Sequence, residues 1–209
     1  MNTNDESIAG RRGVDWGRAE FILVGIGVLG FVTLLIRITT IYSGLPAHPL
    51  FVHVPVVLIP VTLVAAVALM ARPDWLRRFG IALSLASIVA MSSVFLTMQA
   101  GGALESALHL HGEAARLISE HSQAAHILAI VYTAFTALVI LAFAATRISG
   151  GRPTGLVVAD RLLSPPAMLT TLRVLVVVLA LVAGFFTFRT GDLGAKAVWA
   201  GKLQAASRH

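Results

Sequence analysis

The sequence predicts an all-α, five-transmembrane-helix membrane protein, with an antiparallel four-helix core and one extra N-terminal helix. Three observations predict it. Of 209 residues, 57% are hydrophobic, and the mean hydropathy is +0.85. Five apolar stretches reach the roughly 20 helical residues that cross a hydrocarbon core of about 30 Å. Arginines gather in alternate connections. Backbone polar groups in lipid must be satisfied within their own segment, and barrel-type alternation is absent, so the spans are expected to be helices.

Residues 1–19 are polar and are expected to form a cytoplasmic arm. The first helix, Phe21–Ile41 within a 20–44 segment, carries Arg37 near its outer end, where a long side chain can snorkel to the headgroups. Its apolar run exceeds a signal h-region and no A-x-A-like cleavage site follows at Ser43–Ala47, which predicts an uncleaved anchor. Leu45-Pro-Ala-His-Pro then turns the chain back. The second helix, Pro49–Ala71, opens on a proline suited to a first helical position. Pro55 and Pro60 each remove a backbone donor and loosen its outer half. Such backbone is tolerated in a membrane only where protein or a water-filled cavity covers it, so this helix is expected to face the bundle. The third helix, Phe79–Met98, leads into a polar loop from Ala100 to Gln123, where Ala103–Ile118 has a helical apolar rhythm suited to a surface lid. Ala125–Thr146 and Met168–Phe188 complete the core. The four-helix domain is thus expected over 45–202, with an external tail at 203–209.

The net charge of +6 does not point to nucleic acid, because of where the charges lie. Arg11, Arg12 and Arg18 precede the first helix. Arg72, Arg77 and Arg78 fill the second-to-third connection, and Arg147, Arg152 and Arg161 the fourth-to-fifth. The positive-inside rule therefore predicts a cytoplasmic N-terminus and an external C-terminus, with Arg189, Lys196, Lys202 and Arg208 a mild exception in the tail. The absence of cysteine removes disulfides, iron–sulfur ligation and covalent c-type haem. No Ser–His–Asp order, phosphate loop or H-E-x-x-H occurs, so no catalytic residue is assigned. The spans hold no acidic residue, which argues against a transporter coupled through buried acids.

The informative residues are the histidines. His48, His53, His109, His111, His121 and His126 all fall at the predicted outer surface. His48-x4-His53 opens the second helix and His121-x4-His126 the fourth. The third helix ends Phe95-Leu-Thr97-Met-Gln99-Ala-Gly101 and the fifth Phe185-Phe-Thr187-Phe-Arg189-Thr-Gly191. These matches suggest two copies of one hairpin about a pseudo-two-fold axis along the membrane normal. Three readings follow. A b-type haem needs imidazoles from facing helices at similar depth, which selects His53 and His126 as iron ligands, with Arg189, Gln99 and Arg37 for the propionates. Residues five apart on a helix diverge by about 140°, so His48 and His53 cannot share one ion on a regular helix. A zinc- or copper-type site would instead use His109, His111, Glu113, Glu120 and His121. In the third reading the imidazoles only hydrogen-bond loose carbonyls at the interface.

Ala47-His48-Pro49-Leu50-Phe51-Val52-His53-Val54-Pro55 resembles the opening signature of a bacterial membrane-domain family, number 2231 among the domains of unknown function, with Val54 where the family usually has Phe. Thr190-Gly-Asp192-Leu-Gly194-Ala195-Lys-Ala-Val198-Trp199 is similar to its closing segment. The resemblance covers about 45–202 and implies a four-helix domain of the bacterial inner membrane. His48 and His53 carry over by motif, and His121 falls in the region of a family histidine. Relatives fused to Rieske or cytochrome-like domains imply electron transfer near the outer face. The expected function is therefore a haem-binding or redox accessory of respiratory-chain or other redox membrane proteins. A cofactor-free structural or assembly subunit is the alternative, and transport of a small solute or metal the third.

Overall fold

The structure is a computed structural model that describes residues 22, 25, 27, 41–42, 45–108, 111–152 and 157–206. A two-residue antiparallel pair, β1 (Ile41–Tyr42) and β2 (Leu45–Pro46), makes the first turn. The helices follow: α1 (Ala47–Phe51), α2 (His53–Ala71), α3 (Pro73–Ala107), α4 (Gly112–Ser149), α5 (Val157–Leu163) and α6 (Pro166–Ala206).

Four helical segments among the described residues are long and apolar enough to cross a membrane: Ala47–Ala71, Pro73–Ala107, Gly112–Ser149 and Pro166–Trp199. Of the expected Phe21–Ile41 span, Ile22, Gly25 and Gly27 are described and helical and Ile41 belongs to β1; the rest lies outside the described residues. A methyl group on Gly27 would sit 3.4 Å from Ile88 Cδ1 and 3.5 Å from Leu85 Cδ2, so Gly27 lies against α3.

α1 and α2 are almost one helix. Val52 keeps helical angles (φ −60°, ψ −26°), and its amide bonds to His48 O at 3.0 Å. Pro55 falls near the start of α2 and Pro60 inside it without ending the helix. The polar loop expected over 100–123 is different in the structure. α3 continues to Ala107 and α4 begins at Gly112, so most of that stretch extends the two helices and makes no separate lid. Its Ala, Leu, Glu and Arg residues are good helix formers. Arg116 adds exposed ion pairs with Glu120 at 2.9 Å and Glu113 at 3.9 Å on its own helix. α6 likewise runs well past the expected end of the fifth span.

The core lies among α2, α3, α4 and α6. Tyr132, Phe135 and Phe143 of α4 are its largest fully buried side chains, packed with Ile59, Leu76, Val139 and Val176. Gly80 lets α3 approach α4 closely, since a Cβ there would fall inside the Phe143 ring's van der Waals contact. Several hydroxyls are satisfied on their own helices: Thr97 donates to Ser93 O at 2.8 Å and Thr187 to Ala183 O at 2.7 Å, as expected for threonines within helices in membranes. Across the core, Thr62 Oγ1 and Tyr132 Oη share a hydrogen bond at 2.6 Å. Outside, apolar side chains stay exposed along every long helix, among them Val57, Val64, Ile130 and Leu181. An apolar exterior of that extent suits lipid and not water.

Candidate functional site

The histidines meet at the end of the bundle where α1 starts and α3 finishes. His48 Nδ1 donates to Thr97 O at 2.9 Å, and His121 Nδ1 donates to Thr190 O at 2.8 Å. A carbonyl can only accept, so the proton sits on Nδ1 in both rings and each neutral ring has its lone pair on Nε2. The ring centroids are 6.3 Å apart with planes at 89°. Gly101 and Gly194, each one turn beyond the accepting threonine, make room for the rings. A Cβ on Gly101 would lie 2.9 Å from His48 Nδ1, and one on Gly194 would lie 3.1 Å from His121 Nδ1. Beyond the pair, Leu117, Ala124 and Leu193 form a second small apolar cluster that closes the end of α4 onto α6. Thr190 Oγ1 is buried there with no hydrogen-bond partner.

This arrangement strengthens the repeat but moves its register. His48 and His121 are 73 residues apart, and α2 and α4 share their burial at that offset. Pro55, Ile59, Thr62, Leu63, Ala66, Leu69 and Met70 are buried, and so are Leu128, Tyr132, Phe135, Thr136, Val139, Ala142 and Phe143. In α3 and α6, Leu83 matches Val176, Ser87 matches Ala180, Ala90 matches Ala183 and Ala100 matches Leu193, all buried. Thr97 and Gly101 therefore correspond to Thr190 and Gly194. The sequence match to Thr187 and Gly191 is three residues out, and Gly191 faces open space. Thr-x3-Gly occurs at both places in α6, so the pattern alone could not separate them.

The predicted ligand pair is corrected in the same way. His53 and His126 are exposed, and His126 Nδ1 donates to Ser122 O at 2.8 Å on its own helix. They do not face one another across the core. The two histidines of each pair diverge by about 140°, so only one can point inward, and that one is His48 or His121. Gln99 and Arg189 are exposed as well. His111 is exposed just before α4, while His109 and Arg37 lie outside the described residues. Among the described residues no group of three or more metal-ligating side chains comes together, and Glu113 and Glu120 are paired with Arg116.

With this geometry in place, one comparison is decisive. The family described as "Predicted membrane protein (DUF2231)" matches residues 44–207. The chain belongs to the DUF2231 family. The match takes in both inward histidines, both glycines and all four long helices. No curated protein and no solved structure matches the chain. The family description names a membrane protein and no activity, so the DUF2231 assignment carries the membrane character and leaves the chemistry to the site.

Proposed function

We propose that this DUF2231 protein is a redox or electron-transfer accessory of the bacterial inner membrane whose His48–His121 pair ligates a b-type haem, or another redox cofactor held through imidazole. The observation that carries it is the pairing itself. The two rings come within 6.3 Å of each other, centre to centre, near enough for both imidazoles to reach one metal ion. Ligating histidines commonly give their other N–H to a carbonyl, which sets the tautomer and aims the ring; both Nδ1 atoms do so here. Gly101 and Gly194 leave the rings without side-chain walls on one side, and the Thr190 hydroxyl is a buried polar group still lacking a partner. Bound haem would supply one-electron transfer, and His48 and His121 would hold it. In this reading the four long helices span the membrane as an antiparallel core, the histidine end is external, and respiratory-chain or other redox proteins are the partners.

Absorbance of the detergent-purified protein from haem-sufficient cells tests this. A Soret band is expected, lost or shifted to high spin in His48→Ala and His121→Ala and retained in His53→Ala and His126→Ala. No Soret band and no stoichiometric metal would end the cofactor reading. The second reading, a cofactor-free structural subunit, would then stand. It is favoured by the same two Nδ1 bonds, which by themselves tie the start of α1 to α3 and of α4 to α6.

A further inference from the structure

At the opposite end of the bundle a cavity of about 350 Å³ opens between the start of α3 and the end of α4. It is lined by Arg77, Arg78, Arg147 and Arg152, with Asp74 and Thr146, so four guanidinium groups face a single carboxylate. Local structure puts them there. α4 ends in a Schellman cap: Gly151 N–H donates to Ile148 O at 2.9 Å and Arg152 N–H to Arg147 O at 3.0 Å, with Gly151 at φ +78°. The cap folds Arg152 back over Arg147. Arg147 is only 6% exposed, and its guanidinium carbon lies 5.8 Å from the Phe143 ring centre, a cation–π contact. Arg77 reaches the cap from α3, its Nε 3.7 Å from where a Gly150 Cβ would stand.

We infer that this cavity binds a phosphate group, supplied by the headgroup of an anionic phospholipid. Planar guanidinium forks match phosphate oxygens in paired hydrogen bonds, and basic pockets between transmembrane helices are a known form of headgroup site. The surroundings of the cavity favour lipid over a soluble ligand. Trp75 and Phe79, on the same turns of α3 as the pocket arginines, are exposed with Arg72 and Arg78 over their rings at 5.1 and 5.2 Å. Exposed aromatic rings with arginines beside them mark the headgroup layer of a membrane protein. The lining has no aromatic or aliphatic side chain to hold a nucleoside base. Nothing in this site depends on the histidine end or on any cofactor there.

The test uses delipidated full-length protein and native mass spectrometry with phosphatidylglycerol and phosphatidylcholine of identical chains, each alone and against inorganic phosphate. The wild type should retain phosphatidylglycerol selectively. Preference should fall roughly fivefold for each arginine removed in Arg77→Gln, Arg152→Gln and the double variant. Both side chains are exposed, so the fold is expected to survive, and an unchanged thermal melt checks that. Phosphate binding lost in the double variant, without discrimination between lipids, would keep the site and make its ligand a soluble phosphate. Equal retention of both lipids with no phosphate binding, or phosphatidylglycerol selectivity unchanged in the double variant, overturns the inference.

Discussion

Gly101 and Gly102 are neighbours in one helix, yet they carry opposite expectations. A methyl group on Gly101 would press on His48 Nδ1, whereas one on Gly102 meets nothing within 4 Å. Gly101→Ala must push the imidazole aside or part α1 from α3, at about 1–3 kcal/mol for overpacking. Gly102→Ala should be neutral or slightly stabilising, because alanine loses less backbone entropy in a helix. Thermal melts in detergent check the contrast, and equal melting points would mean that the ring is not seated against Gly101. The histidines obey the same logic of direction. All of them were readable as candidates, since imidazoles are few in an apolar chain and lie at one end of its spans. Which of His48 and His53 points inward was not readable, because the first turns of the helix hold apolar residues on every side and no amphipathic stripe marks its inner face.

At the scale of elements, helix pairing rests on close approach more than on polar bonds. α3 and α4 touch through Gly80 against Phe143, both buried. Gly80→Ala is expected to destabilise by about 1–3 kcal/mol, and Phe143→Leu in the same chain should recover part of that loss by vacating the contact. A double-mutant cycle on unfolding free energies measures the coupling; strict additivity would show that the two residues do not share a contact. The cores of the helices were legible in the sequence because hydrocarbon thickness sets a minimum apolar length. Their ends were not. α3 and α4 run on through Ala103–Ala107 and Gly112–Gln123, where the residues are polar enough to look like a loop but helix-forming enough to continue once packing has paired their neighbours.

For the whole molecule, the positive-inside rule predicts that the arginine end is cytoplasmic and the histidine end external. The chain has no cysteine, so single thiols report orientation without background. Ser106→Cys, exposed near the end of α3, should react with an impermeant thiol reagent in intact cells, and Ser164→Cys, exposed between α5 and α6, should not. The reverse labelling would invert the topology, moving the paired histidines to the cytoplasmic face and the arginine cavity to the outer leaflet.

By itself the sequence determined the helical membrane class and the family. Those follow from composition, run length and charge position, which act on each segment separately. Tertiary structure alone decided that His48 and His121 are the pair, that Thr190 and Gly194 and not Thr187 and Gly191 repeat Thr97 and Gly101, and that four arginines from two connections line one cavity. Each of these depends on how one helix is rotated and shifted against another. In lipid that choice has little signature in hydrophobic patterning, since inward and outward faces are both apolar and close packing between particular small and large side chains makes the selection.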